Sequence, residues 1–229
     1  MPNLADLNVV QSYRASHRKD SSDKLYPNLM LVRSLAFLSK GQKLRILDYG
    51  CGYGANSLAL SKYSSELVYA DTCDVALSKT SQKLSTSIKP SNFVGSLIDP
   101  CSDSLPFHDG AFDLIVCASV LSLLSEKTRV RNVLAEFDRV LSEDGRVFLD
   151  INGPKSEFAV YSDLISEDTY SYMGRSRNKP PIQVYCPVRN TFEMITSEFF
   201  KIDEIGETTH DLLGYKEQEY IVLASKLVK

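Results

Sequence analysis

The 229-residue sequence has no apolar run approaching the ~20 residues that a membrane-spanning helix requires. Its start also lacks the basic-then-apolar pattern of a signal peptide, so we expect a cytoplasmic protein without a membrane partner. The formal net charge is −3, whereas a large nucleic-acid footprint needs a basic face that neutralises phosphates. Nucleic acid is therefore not an expected partner.

Cysteines in closely spaced pairs are absent as well, so we expect no zinc site or other metal site. Several of the cysteines lie in or beside apolar runs, which favours buried, reduced thiols. The five cysteines are Cys51, Cys73, Cys101, Cys117 and Cys186.

The sequence does contain a regular alternation of strand-like and helix-like segments. Hydrophobic residues make up 43% of the chain and charged residues 24%, as in an ordinary globular protein. Alternating strands and helices of this length predict a parallel sheet that is covered by helices on both faces. The predicted strands are LRILDYG, ELVYA, NFVG, FDLIVCASV and RVFLDI, and the clearest helix is RVRNVLAEFDRVL.

We predict a single domain over residues 1–229, without repeats or a low-complexity linker. Residues 1–24 are interpreted as an N-terminal arm and residues 25–152 as the core. The alternation stops there, and residues 153–190, rich in proline, glycine and tyrosine, predict a cap or insertion. Residues 191–229 contain two further strands, close enough to pair as an antiparallel hairpin.

The most informative segment is the glycine-rich turn between the first strand and the first helix of the core. Glycines at positions 50, 52 and 54 allow positive φ and let a ligand approach the main chain, because no Cβ stands in the way. Asp71 ends the second strand about twenty residues later, where doubly wound folds place the acid that binds ribose hydroxyls. This order of elements predicts a nucleotide-like ligand at the carboxyl edge of the sheet.

Four segments in order resemble the motifs of class I S-adenosylmethionine (SAM)-dependent methyltransferases: LRILDYGCGYGA, ADTCDVALS, LPFHDGAFDLIVCASVLSLL and FDRVLSEDGRVFLDI. The resemblance covers about residues 25–152. It implies a Rossmann-like, seven-stranded, mostly parallel α/β sheet whose last strand is antiparallel, with a small insertion between strands five and six. It also implies an enzyme that uses SAM and methylates a small molecule, on oxygen or nitrogen, with a sugar or other hydroxylated metabolite as one candidate acceptor.

The resemblance assigns roles in cofactor binding to particular residues. Asp48, Gly50, Cys51 and Gly52 would hold the methionine end of SAM, largely through the main chain. Asp71 would bind the ribose.

For the rest of the cofactor, Ser96 and Leu97 would flank the adenine and Ser119 would lie near the transferred methyl. The family often has an acid after the third strand, and here that position holds Ser96. Two possibilities stay open: the Leu97 amide and a serine hydroxyl hold the adenine, or Asp99 folds back into the role.

No catalytic base is evident in the sequence. His17 in the arm and Asn152 at the end of the fifth strand are candidates, and each also has a plain structural interpretation. Tyr13 is a candidate for closing the cofactor pocket. His108 precedes the fourth strand, so we expect it at the opposite edge of the sheet from the cofactor.

The predicted cap contains residues that are candidates for binding the acceptor. Arg175 and Arg177, with Lys179 nearby, form a cluster suited to a phosphate or carboxylate. Tyr172 is a candidate for lining the acceptor pocket. A solvated charged loop explains the cluster equally simply, and the sequence does not indicate an oligomeric state.

Two other classes of protein remain open at this stage. A SAM-binding partner or sensor protein without activity would share the cofactor motifs and need no base. An NAD(P)-dependent oxidoreductase would use a similar sheet, although its glycines would favour the spacing G-x-G-x-x-G, which is not the spacing found here.

Overall fold

The computed structural model describes residues 26–87, 92–102, 104–173 and 181–227. The first half contains, in chain order, α1 (Leu29–Ser39), β1 (Leu44–Tyr49), α2 (Ala55–Leu60), β2 (Ser64–Asp71), α3 (Asp74–Ser87), β3 (Phe93–Leu97), β4 (Phe112–Cys117), a 3-10 helix (Leu121–Leu124), α4 (Lys127–Val140) and β5 (Leu141–Asn152). The second half contains α5 (Glu157–Val160), β6 (Asp163–Ser166), β7 (Thr169–Tyr172), β8 (Ile182–Tyr185), α6 (Arg189–Ser197), β9 (Phe200–Leu212) and β10 (Tyr215–Lys226).

The main sheet has seven strands in the order β3-β2-β1-β4-β5-β10-β9. The first five are parallel to one another, and β10 is antiparallel to both β5 and β9. A separate three-stranded antiparallel sheet, β6-β7-β8, lies in the insertion between β5 and β9. The predicted fold class is confirmed, including the antiparallel last strand and the position of the insertion.

The sheet separates two apolar cores because successive side chains of a strand point to opposite faces. On β1, Ile46 packs in the core that contains Leu35 of α1, and Leu47 packs in the core that contains Phe137 of α4. The Phe137 ring also meets Tyr49 edge to face, with 5.0 Å between centroids. Within the described residues, no helix has the length and apolar character that a bilayer crossing needs.

Helix α1 begins at Leu29, directly after its N-cap residue Asn28. The Asn28 side chain accepts hydrogen bonds from the amides of Met30 and Leu31 at 2.9 and 3.1 Å, which caps the helix. The chain leaves α1 through Lys40 and Gly41, both with positive φ, a conformation that ends a helix.

The terminal hairpin reaches well beyond the rest of the sheet. Leu213 and Gly214 have φ of 54° and 75°, as a two-residue hairpin turn requires, and they join β9 to β10. Pairing between β10 and β5 ends at Glu219 opposite Asn152. The four residues of β10 before Glu219 therefore extend about 14 Å past the carboxyl edge of the sheet.

Replacing Phe137 with alanine should test the larger core. Phe137 is fully buried, so we expect Phe137→Ala to lower the free energy of unfolding by about 3–5 kcal/mol in urea denaturation. Phe37→Ala is the matched control: its ring is half exposed, and a surface substitution should cost only about 0.5 kcal/mol. Equal losses for the two variants would contradict this assignment of the core.

Candidate functional site

A cavity of about 800 Å³ lies at the carboxyl edge of the main sheet. The turn after β1, the tips of β2 and β4 and the loop after β3 line it, together with one face of α4 and the projecting β9–β10 hairpin. Its volume falls within the roughly 300–1,000 Å³ of small-molecule pockets, and open α/β sheets bind ligands at this edge.

The turn after β1 is held in place from β2 and α3. Gly50 and Cys51 donate their main-chain N–H groups to the Ala70 carbonyl at 2.8 and 3.0 Å. The fully buried Thr80 of α3 donates its hydroxyl to the Gly52 carbonyl at 2.9 Å. The turn is therefore rigidly supported on the side away from the cavity, with its main chain lining the cavity.

Two glycines of this turn are required for different reasons. A Cβ on Gly50 would lie 2.2 Å from the Val120 side chain, so a larger residue would collide with the loop after β4. A Cβ on Gly52 would meet no atom within 4 Å, although φ is +53° there. The space beside Gly52 is thus open to a ligand that approaches the main chain.

Asp71 lies at the tip of β2, lines the cavity and is only 7% exposed. One carboxylate oxygen accepts the Gly52 N–H at 2.9 Å, and the other accepts the Cys73 N–H at 2.9 Å. These two bonds fix the carboxylate against the glycine-rich turn. The structure therefore brings together the two features on which the nucleotide prediction depends.

Asp48 was expected to contact the ligand, but the structure places it beneath the turn and outside the cavity lining. It is 1% exposed and accepts a hydrogen bond from the Ser57 hydroxyl at 2.5 Å. Burial raises the pKa of Asp48 to about 7; the Ser57 hydrogen bond opposes this and the charge of Asp71 adds to it. Asp48 supports the turn from inside the fold. Burial and these two carboxylates also raise the pKa of Cys51, which keeps its thiol neutral.

The exit from β4 is fixed by a network that the sequence analysis missed. Ser119 lines the cavity with φ of +61°, which is uncommon for a residue other than glycine. Its N–H donates to Asp150 at 2.5 Å, and the Asn28 side-chain amide donates to the other Asp150 oxygen at 3.2 Å. The Asn28 N–H in turn donates to Asn56 at 2.9 Å. The feature of the sequence that could have indicated this network is Asp150, a lone acid within the apolar run VFLDI.

The residues predicted to contact adenine come directly before the residues that line the cavity after β3. Strand β3 continues to Leu97, which pairs with Asp71 and exposes 56% of its surface. Neither Ser96 nor Leu97 lines the cavity, whereas Ile98 and Asp99 do. Strand β3 ends two residues later than the predicted strand NFVG, and the contacts of Ser96 and Leu97 with adenine stay a prediction. Because Asp99 lines the cavity, its position favours Asp99, rather than the Leu97 amide and a serine, as the group that would meet the adenine.

Two candidates for acceptor chemistry lie away from the cavity. Asn152 does not line it: its N–H donates to the Ser122 hydroxyl at 2.9 Å and so ties β5 to the 3-10 helix. The Tyr172 hydroxyl donates to Glu157 at 3.0 Å, and its ring packs edge to face on Phe158. Neither the main-chain bond of Asn152 nor the contacts of Tyr172 tests a role in the reaction, so both roles stay predictions.

Several other candidates cannot be placed by the structure. Tyr13, His17, Arg175 and Arg177 lie outside the described residues, as does Lys179, so their roles stay predictions. His108 is described, and it lies exposed in the turn before β4, at the opposite edge of the sheet as expected.

The projecting hairpin adds cavity residues that the sequence analysis did not select. Thr208 and His210 of β9, with Glu217 and Glu219 of β10, line the cavity. His210 pairs with Glu217 across the two strands, and its Nε2 contacts the Glu217 carboxylate. The feature of the sequence that could have identified them is the Leu213-Gly214 pair. A two-residue turn there sets the register that brings positions 210 and 217 opposite each other.

Part of this chain, including the turn after β1 and the tip of β2, matches a known family of domains. Residues 47–149 match the family model described as "Methyltransferase domain", a segment that runs from within β1 to within β5. The predicted resemblance to class I SAM-dependent methyltransferases is thereby confirmed.

Particular relatives match part of the chain. The uncharacterized methyltransferase YcgJ of Bacillus subtilis is 33% identical over 109 residues, which are 46% of this chain and 39% of that protein. Nodulation protein S of Azorhizobium caulinodans is 29% identical over 101 residues, or 44% of this chain and 45% of that protein. The chain thus spans about half the length, or less, of the curated relatives it matches.

Solved structures match over more of the chain but at lower identity. A SAM-dependent methyltransferase from Methanosarcina mazei has a TM-score of 0.72 and 17% identity, and the match covers 90% of this chain and 100% of the other. The N-methyltransferase NodS of Bradyrhizobium japonicum, solved with S-adenosylhomocysteine (SAH), has a TM-score of 0.69 and 18% identity, covering 96% and 100%. These likenesses concern the fold.

The raised pKa of Asp48 predicts a particular pH dependence of stability. Between the ordinary carboxyl value of ~4 and about 7, the folded chain holds a proton at Asp48 that the unfolded chain releases. The resulting stability is fully present below the ordinary value and is lost as pH rises through about 7. We therefore expect Asp48→Asn to flatten the fall in urea midpoint between roughly pH 5 and pH 7.

Asp113 offers a matched control on β4. Burial acts to raise its pKa, but hydrogen bonds and an ion pair with Arg45 outweigh that effect and lower the pKa. Asp113 is therefore ionised throughout this range, and Asp113→Asn should leave the slope unchanged while lowering the midpoint. If the slope of urea midpoint against pH is the same in Asp48→Asn as in the wild type, a protonated, buried Asp48 is refuted.

Proposed function

We propose that this chain is a SAM-dependent methyltransferase that acts on a small-molecule acceptor. The observation that carries the proposal is the Asp71 carboxylate hydrogen-bonded to the Gly52 amide at the cavity. A carboxylate at the tip of β2 suits the two hydroxyls of an adenosine ribose, and the open main chain beside it suits the amino-acid end. When bound, SAM supplies a methyl carbon attached to a positively charged sulfur.

The described residues fit such a cofactor along its length. Gly52 gives the open approach to main chain, and the Gly50 and Cys51 positions continue that surface. Beyond Asp71, the buried Ile98 side chain offers an apolar contact for a flat base, and Asp99 a carboxylate for its amino group. At the other end, we propose that Ser119 lies near the methyl group.

A small acceptor is supported by the cavity, which continues past the cofactor positions to α4 and the hairpin. In this site the protein mainly has to hold the acceptor in line with the methyl group, since the cofactor carries the reactivity. Oxygen and nitrogen acceptors, including hydroxylated metabolites, both belong to the proposal. The structural likeness to the N-methyltransferase NodS supports a nitrogen acceptor.

Two rivals are separated from this proposal by one experiment. A nicotinamide-dependent oxidoreductase would gain thermal stability with NAD, and a methyltransferase would gain it with SAM or SAH. A SAM-binding protein without activity would gain stability with SAH but would release no SAH from SAM in the presence of any acceptor. Thermal shifts with the two cofactors, followed by an assay for SAH release, therefore assign the chain to one of the three classes.

Replacing Asp71 should weaken cofactor binding. Asp71→Asn removes the charge that strengthens hydrogen bonds to ribose, and we expect the SAH dissociation constant from calorimetry to rise about 10- to 100-fold. Asp74→Asn is the control, because Asp74 is an exposed carboxylate three residues away at the start of α3. If Asp71→Asn binds SAH as tightly as the wild type, the result argues against this cofactor site.

A side chain at Gly52 should block the cofactor directly. We expect Gly52→Val to reduce SAH binding more than Asp71→Asn does, because its methyl groups would enter the open space beside the turn. Gly41→Val controls for backbone strain: φ is +76° there, its Cβ also meets open space, and it lies outside the cavity. Similar losses of SAH binding in both variants would mean that strain, not obstruction, is responsible.

A further inference from the structure

The face of the β9–β10 hairpin that lines the cavity carries a group of polar side chains. Alternate residues of a strand share a face, so Thr208 and His210 point the same way, as do Glu217 and Glu219. The register places His210 opposite Glu217 and Thr208 opposite Glu219. Two cross-strand pairs therefore lie side by side over the cavity: the Thr208–Glu219 pair is level with the end of β5, and the His210–Glu217 pair lies beyond it.

Within this group, His210 and Glu217 form a hydrogen-bonded pair through Nε2 of the imidazole and a carboxylate oxygen. A carboxylate accepts from Nε2–H and so selects the neutral tautomer in which Nδ1 carries the lone pair. The two side chains are 55% and 46% exposed, so the imidazole is accessible to a ligand in the cavity and can exchange protons with water. This arrangement has the form of an oriented general base.

The other charged groups near His210 do not disrupt the pair. On β10, Glu219 lies beside Glu217 on the same face. Asp211 and Lys216 pair with each other at 3.5 Å on the opposite face of the hairpin. The charges that face His210 from its own hairpin are therefore carboxylates.

The cavity as a whole has an excess of negative charge among the residues that the structure describes. Its described lining contains five carboxylates and a single arginine, Arg129, with no lysine. Such a lining attracts cations and repels anions. The carboxylates are Asp71, Asp99, Glu136, Glu217 and Glu219.

We propose that His210, oriented by Glu217, is the catalytic base for a small amine acceptor; this rests on the proposed methyltransferase function. The amine enters as an ammonium ion, attracted by the hairpin carboxylates. Nδ1 of His210 removes one N–H proton, which leaves the nitrogen lone pair on the acceptor.

Methyl transfer then balances without any further reactant. The nitrogen lone pair forms the new N–C bond with the methyl carbon while the C–S bond breaks, and its electron pair stays on sulfur, which becomes neutral. The proton held by His210 leaves to water. Glu217 touches neither reacting atom and is a positioning residue that holds the tautomer.

The acceptor class is tested with matched compounds that differ in charge: benzylamine, benzyl alcohol and benzoate, and butylamine, butanol and butyrate. Each is added with methyl-labelled SAM, and transfer is measured across pH. In parallel, the imidazole NMR signals of the SAH complex are followed during titration with each compound. The chain has three histidines, and His210→Gln identifies the signal of His210.

We expect amines to accept methyl, to shift the His210 signal and to leave the His108 signal unmoved. His210→Gln should lower kcat about 100-fold or more and remove the acidic limb of the pH profile, with SAH affinity unchanged. Glu217→Gln should lower kcat less and displace that limb. His108→Gln, at the opposite edge of the sheet, should behave as wild type.

The outcomes separate this inference from the function on which it rests. Failure of the wild-type protein to bind SAH would remove the proposed function itself. SAH binding together with no amine turnover, preference for the carboxylates, or a wild-type rate in His210→Gln would overturn the inference and leave the cofactor site standing. Preference for the alcohols, with His210→Gln inactive, would overturn the amine assignment.

Discussion

The hydrogen bond from the Gly52 amide to the Asp71 carboxylate joins the two elements on which the site depends. The same carboxylate accepts the Cys73 amide, so a single buried acid sets the shape of the chain after β1 and after β2. Thr80 holds the turn through the Gly52 carbonyl. The main chain beside Gly52 is consequently presented to the cavity in a fixed form, and a ligand need not order it on binding.

This part of the molecule was predictable from the sequence because its causes are local. Parallel strands buried on both faces appear as apolar runs, which identified β1, β2 and β4. Glycines that must adopt positive φ cannot be replaced without strain, so the Gly50–Gly54 spacing marks the turn directly. The acid at the tip of β2 follows at a distance in sequence that the intervening helix and strand determine.

The remainder of the site depends on contacts between residues far apart in sequence. Asp150 joins Asn28 to Ser119 across 122 and 31 residues, and no local pattern announces that association. The end of β3 was predicted two residues too early because β3 is an edge strand with little apolar patterning. The bond from the Asn152 N–H to the Ser122 hydroxyl, 30 residues away, likewise leaves no mark in the local sequence.

The two halves of the cavity therefore differ in how they recognise a ligand. The proposed cofactor half uses the main chain of the turn after β1 together with the Asp71 and Asp99 carboxylates. The hairpin over the other half is joined to the rest of the fold through Gln218, which accepts hydrogen bonds from the Gly153 and Lys155 N–H groups at 2.9 and 2.8 Å. Because the register of that hairpin places His210 opposite Glu217, the turn at Gly214 sets the pairing on which the proposed acceptor chemistry depends.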